Sequence, residues 1–276
     1  MDFHRRAFVN GLGAAAGASL GAAGLVNAAE VHDGRTPRTR QEWDAIIRSQ
    51  FSGTGFTCVH TTELTEGPFY YESSLERRAI AEKLPGAPLR LGITLGGLAS
   101  AGRCFPLAGA IVDIWQTSPA GLYSNVGRDL KPVDTTGQTF LRGHQVTDNN
   151  GYVEFDTIVP GWEIVAAADP VKVARRTTHI HLKAFHEREV LTTQLFFPDP
   201  LIDHLYADVE PYSSHRMLMA PGLDHPYERI KNGQDIFFNQ FMAQPMTVEQ
   251  VNGVYVARVT IGVLSQGNRG LKTLFR

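Results

Sequence analysis

A chain of 276 residues with 43% hydrophobic and 20% charged side chains is an ordinary globular composition, long enough for one large domain or two small ones. Its formal net charge of -2 gives no electrostatic footprint for nucleic acid or an anionic membrane, so neither is expected as a partner. With 27 glycines and 15 prolines, the chain favours strands joined by turns over a helical bundle.

Residues 1–29 read as a targeting segment. Arg5-Arg6-Ala7-Phe8-Val9 is a twin-arginine pattern, a weakly apolar Gly/Ala run follows from Gly11 to Gly24, and Val26-Asn27-Ala28 offers a small-residue cleavage site. So many Gly and Ala residues make a poor membrane span, and no stable membrane insertion is expected once the segment is removed. Export of this kind, to the periplasm or beyond, carries proteins that fold first, often around a cofactor. Residues 30–60 form an arm in which Gln41 to Phe51 predicts a short helix, with Trp43, Ile46, Ile47 and Phe51 on its apolar face.

From Thr61 onward the chain predicts strands separated by turns. The candidates are Leu89 to Leu95, Ala108 to Trp115, Gly151 to Asp156, Thr178 to Phe185, Leu191 to Phe197 and Val254 to Leu264. Asp148-Asn149-Asn150-Gly151 is a tight-turn signature. Strands this frequent imply an all-β sandwich, a single domain over 61–276. Pro198 to Gln250 is less regular and reads as Pro-rich covering loops that carry His204, Tyr206, Tyr212, His215 and His225. Only Cys58 and Cys104 are present. An exported protein can bridge them, two separate buried thiols are the alternative, and no Cys/His cluster exists for a structural zinc.

Chemistry concentrates around Thr177-Thr178-His179-Ile180-His181-Leu182-Lys183-Ala184-Phe185. Period-two alternation puts His179 and His181 on one strand face, about 6–7 Å apart along it, while Ile180 and Leu182 pack the other side. Two imidazoles so placed can converge on one metal ion. Arg176 precedes His179 and can orient or neutralise an anion beside such a metal, unless it is a solvated neighbour of Arg175. Tyr123, after Gly121, is a candidate phenolate ligand, a hard donor that favours ferric iron. Gln194 on the following strand can hydrogen-bond a substrate or a neighbour.

These residues sit among motifs that recur in order: Thr65-Glu66-Gly67-Pro68-Phe69-Tyr70, Pro106-Leu107-Ala108-Gly109-Ala110 with Val112-Asp113-Ile114-Trp115, and Gly121-Leu122-Tyr123-Ser124. Phe140-Leu141-Arg142-Gly143, Thr147-Asp148, Phe155 to Trp162, Arg176 to His181 and Leu191 to Leu195 follow. The set, spanning roughly Cys58 to Leu264, resembles the intradiol ring-cleavage dioxygenases, and is most similar to their exported single-chain branch, where cysteines near these two positions also occur. The resemblance implies a β-sandwich holding one non-haem Fe(3+) between two tyrosinates and two histidines, with a catechol-like aromatic diol and O2 as substrates. By the same resemblance Tyr123, His179 and His181 stand at metal-ligand positions, and Arg176 and Gln194 stabilise the reacting ring. Tyr70 and Trp162, which end two of the motifs, are expected at the substrate. The implied pathway is aromatic breakdown, and a homo-oligomer is compatible with the family.

The chain departs from the family at Glu163. The usual Pro-Gly-x-Tyr supplies the tyrosinate that substrate displaces, whereas this sequence reads Pro160-Gly161-Trp162-Glu163. A glutamate there can replace the ligand, stay outside the ligand set, or act as an acid/base. Three functions therefore stand: intradiol cleavage, an iron oxygenase or peroxidase-like enzyme of altered chemistry, and a non-catalytic β-sandwich binding module. Retention of Tyr123, both histidines, Arg176 and Gln194 argues against the binding module.

Overall fold

The computed structural model describes residues 56–72, 75–98, 103–127, 133–163, 176–215 and 229–264. The targeting segment, and the helix expected over Gln41 to Phe51, lie outside the described residues. Two sheets carry the fold. Six strands form the first: β1 (Phe56–Thr57), β2 (Pro88–Leu98), β3 (Arg103–Pro106), β6 (Tyr152–Ile158), β9 (Thr247–Val251) and β10 (Val254–Leu264). At its centre β2 runs parallel to β10 from Leu89↔Tyr255 to Leu98↔Leu264, while β6 and β3 share its other edge. The second sheet has the order β5-β4-β7-β8, from β4 (Ile111–Trp115), β5 (Arg142–Val146), β7 (His179–His186) and β8 (Glu189–Phe196).

The core follows from the alternation of side chains. Leu89, Leu91, Ile93 and Leu95 of β2 meet Val112 and Ile114 of β4, Ile180, Leu182 and Ala184 of β7, and Leu191 and Leu195 of β8 in one buried cluster. The intervening residues of the second sheet, Trp115, His179, His181 and Gln194, therefore face away from this core. They are buried nonetheless. A separate cluster explains it: Trp115, Tyr123 and Val126 are covered by Phe69 and Tyr70.

The turn at Asp148–Gly151 forms as the sequence predicts, and it carries the chain from the second sheet to the first. Gly151 has φ +71°, and a Cβ there would meet the Leu95 carbonyl oxygen at 2.4 Å, so only glycine fits. Cys58 and Cys104 are bridged, with Cα atoms 5.8 Å apart. The first sheet begins at Phe56, ahead of the expected domain start at residue 61.

Pro198 to Gln250 is not simply loop. It holds α1 (Asp199–Asp208), α2 (Tyr212–His215), a 3-10 turn (Asn232–Gln234), α3 (Ile236–Gln240) and β9. The prolines misled the reading because Pro198 caps α1 and Pro200 lies in its first turn, where no amide hydrogen bond is lost. Tyr206 of α1 and Tyr212 of α2 are buried in the core rather than covering an end. Among the described residues, no helix is long and apolar enough to cross a membrane.

Candidate metal centre and active site

His179 and His181 lie on the outer face of β7, and Tyr123 reaches them from the loop after β4. The Nε2 atoms of the two histidines are 3.0 Å apart, and the Tyr123 hydroxyl oxygen is 3.1 Å from His181 Nε2. All three side chains are buried. Tyr123 is held in turn by its own carbonyl, which accepts from the Thr135 hydroxyl at 2.7 Å, and by Phe69, whose ring stacks on it at 4.8 Å.

The network assigns the protons. His179 Nδ1–H donates to the Thr177 carbonyl at 2.7 Å, which leaves its Nε2 as a bare lone pair. Burial, reinforced by the Arg176 charge, pulls the His179 pKa down to about 3. His181 is held well below the ordinary range by burial and then by His179 and Arg176. Burial, and then the Glu163 carboxylate, pushes the Tyr123 hydroxyl well above the tyrosine range. The cluster is thus neutral, and its lone pairs converge.

These residues fit a metal ion. Donors bound at about 2.0–2.1 Å and at right angles lie about 3 Å from one another, the spacing seen from His181 Nε2 to each of the other two atoms. His181 Nδ1 has no hydrogen-bond partner among the described residues. A proton on its Nε2 would be donated to His179 Nε2. A proton on Nδ1 leaves two lone pairs facing at 3.0 Å, an arrangement that a shared cation relieves. Among the described residues no three His, Cys, Asp or Glu side chains gather closely enough to hold a metal. An ion here therefore requires the tyrosine oxygen.

Arg176 and Gln194 come together at one side. Gln194 is the cross-strand partner of His181, and its amide oxygen accepts from Arg176 Nη2, while its Nε2 donates to the Thr65 carbonyl at 2.9 Å. Arg176 Nε donates to Asp235 at 2.8 Å. Asp235 was not foreseen from sequence, since it lies far along the chain in a stretch read as loop. Asp113 was also missed as a buried acid: it accepts from the Tyr70 hydroxyl, and burial raises its pKa to about 7.

Tyr70 covers this cluster, whereas Trp162 packs in the main core. Tyr70 packs on Trp115 with ring centroids 4.7 Å apart. Its hydroxyl is held by Asp113, and Lys183, ion-paired with Glu66, lies over its ring. Trp162 belongs to the main core beside Tyr206, and its backbone N–H donates to the Tyr206 hydroxyl at 2.7 Å. Glu163 does not join His179 and His181 as a third donor of their kind. Its loop is nevertheless stapled to the Tyr123 loop. The Thr117 hydroxyl donates to the Gly161 carbonyl at 2.6 Å, and a Cβ on Gly161 would meet the Pro119 carbonyl oxygen at 2.4 Å. Through this staple the Glu163 charge acts on the Tyr123 hydroxyl.

Known proteins resemble the chain in sequence and in fold. A family model described as dioxygenase matches residues 65–238. Chlorocatechol 1,2-dioxygenase of Pseudomonas putida is 34% identical over 100 residues, covering 33% of this chain and 36% of that protein. Catechol 1,2-dioxygenase of Candida albicans is 28% identical over 158 residues, covering 50% of this chain and 47% of its own. These matches span only about a third to a half of the curated relatives' length. The solved intradiol ring-cleavage dioxygenase from Tetranychus urticae superposes with a TM-score of 0.60 at 26% identity, covering 75% of this chain and 95% of that one. With the family model matching more than half of the chain and the two-sheet fold shared with a solved member, the chain belongs to the intradiol dioxygenase family.

Proposed function

We propose that this chain is a non-haem iron dioxygenase that opens a catechol-like aromatic diol with O2. The observation that carries the reading is the convergence on His181 Nε2 of His179 Nε2 at 3.0 Å and the Tyr123 hydroxyl at 3.1 Å, with the Arg176 charge acting on both histidines. Those three side chains would hold the ion. Ferric iron held there would supply Lewis acidity, favouring the anionic form of a diol and its reaction with O2.

The chain's own groups do the rest. Two neutral histidines add no charge, and Arg176, paired with Asp235 through Nε, keeps further guanidinium N–H groups to meet an anionic substrate. Gln194, bonded at both ends of its amide, holds the guanidinium in place. Phe69, Tyr70 and Trp115 cover the site with apolar rings, excluding water and strengthening every charge interaction inside. Glu163 is the carboxylate whose charge reaches the Tyr123 hydroxyl. We assign it the role of accepting a substrate phenolic proton, where the family places a tyrosine. This replacement also favours a second reading, an iron oxygenase of altered outcome.

Export through the twin-arginine motif is part of the proposal. The Cys58–Cys104 bridge supports it, because such bonds persist in oxidising compartments.

The test uses purified protein, its iron content, and catechol supplied under isotopically labelled O2. The proposal expects bound iron and a ring-opened muconate carrying both labelled oxygens. Iron uptake with a different oxidised product would favour the altered chemistry, and protein that takes up no iron would refute both.

A further inference from the structure

Asp235 is fully buried and uses both carboxylate oxygens. Oδ1 caps α3, accepting from the backbone N–H groups of Phe237 at 2.8 Å and Phe238 at 3.1 Å. An N-cap needs one side-chain oxygen, and Ser, Thr or Asn supplies it as well as Asp. The second oxygen is employed elsewhere. Oδ2 accepts from Arg176 Nε and from the Thr177 backbone N–H, both at 2.8 Å.

The rest of the guanidinium is also fixed. Nη2 donates to Gln194, and the plane lies over the Phe237 ring, 4.5 Å from its centroid, on the helix that Asp235 caps. Among the described residues Nη1 has no acceptor. One face, one edge and the Nε corner are thus held, and the Nη1 corner is left to meet an anion. The Thr177 amide bond extends the same control to the segment leading into β7, two residues before His179.

We propose that Asp235 is a positioning residue: its buried carboxylate fixes Arg176 in the orientation that receives an anionic diol. This rests on the reading above, in which Arg176 meets the substrate. An unpaired guanidinium in this place would sample other rotamers and would be less well retained in a site that is closed to water. A surface salt bridge would do little for orientation, but this pair is 7% and 0% exposed.

The experiment compares Asp235→Ser and Asp235→Asn with wild type, with Arg176→Gln, and with the double variant Arg176→Gln/Asp235→Ser. Both Asp235 substitutions retain a capping oxygen for α3. Thermal unfolding and iron per chain are measured first. Catechol is then titrated anaerobically into the iron-loaded proteins, followed by visible absorbance, and kcat and KM are determined separately. The Asp235 variants should stay folded and keep their iron, bind catechol roughly tenfold or more weakly, and raise KM more than they lower kcat. In the Arg176→Gln background, Asp235→Ser should add less than about a twofold change. Equal losses in both backgrounds, or folded Asp235 variants with wild-type catechol affinity, would overturn the proposal. So would loss of the fold in both Asp235 variants, which would make the residue purely structural. Failure of the underlying reading looks different: wild type takes up no iron, or Arg176→Gln alone leaves catechol affinity unchanged, and the proposal falls with it.

Discussion

The Trp115 indole lies parallel to the His181 imidazole, with ring centroids 4.7 Å apart and planes 4° apart. The two residues are cross-strand partners on β4 and β7. Ligand histidines are usually oriented by a hydrogen bond from the second ring nitrogen. His179 has one, to the Thr177 carbonyl, whereas His181 Nδ1 has no partner among the described residues. Stacking therefore sets the His181 ring plane.

Trp115→Ala should consequently lower iron affinity on the order of 10–100-fold, the usual effect of removing the group that orients a ligand. Trp115→Phe keeps a stacking ring and removes an indole N–H that is buried without a partner among the described residues. Its iron affinity should stay near wild type. Iron titration monitored by metal analysis decides, and equal affinities in Ala and Phe variants would show that stacking does not matter.

His179→Ala and His181→Ala should each lose most bound iron, since the described site offers only three converging donor atoms. Iron per chain after chromatography is the measurement. Wild-type retention in both variants would remove these histidines from the ligand set.

Glu163→Tyr tests the position at which this chain departs from its family. If position 163 can reach the ion, a second tyrosinate should intensify or shift the visible absorption of ferric-loaded protein, to which Tyr123 alone otherwise contributes. An unchanged spectrum would keep residue 163 outside the ligand set, in line with its absence from any described His/Cys/Asp/Glu cluster.

Asp113 gives stability a pH dependence. Burial raises its pKa to about 7, against the Tyr70 hydrogen bond and the Arg142 and Lys183 charges, with Glu72 adding to the rise; His144 is its cross-strand partner on β5. The folded state therefore binds a proton more tightly than the unfolded chain. Its contribution is complete below about pH 4 and is lost as pH rises to about 7, at up to about 1.4 kcal/mol for each pH unit between the two pKa values. Asp113→Asn should flatten the unfolding free energy across that window and gain relative to wild type above it. Parallel profiles for the two proteins would contradict this.

The Cys58–Cys104 bridge closes a loop with a sequence separation of 46. Unreduced, denatured protein should show no titratable thiol. Replacing both cysteines with serine should cost about 2–4 kcal/mol in urea unfolding, because the unlinked chain gains entropy when unfolded. Two reactive thiols before reduction would refute the bridge.

Much of the site was legible because it depends on local rules. The period of a strand fixes that His179 and His181 share a face and that Ile180 and Leu182 take the other, whatever the strand packs against. The same alternation marked most of the long core strands. Short or polar strands escaped it: Arg142–Val146 and Thr247–Val251 have too few core-facing residues to leave a pattern. Pro198 and Pro200 signalled irregularity where they start a helix, since proline at a helix N-terminus and in a loop looks alike in one dimension.

What only the tertiary structure decided is every relationship across long sequence distance. Tyr123 meets His181 over a separation of 58, and Asp235 meets Arg176 over 59. No propensity encodes such pairs. The first was reached from sequence only through resemblance, and the second had no signal at all, because an aspartate that caps a short helix reads the same whether or not its other oxygen holds an arginine. The placing of Trp162 in the core and of Glu163 beside the Tyr123 loop has the same origin: the close backbone approach at Gly161 turns that segment, and nothing in the order of its residues states which side chain faces inward.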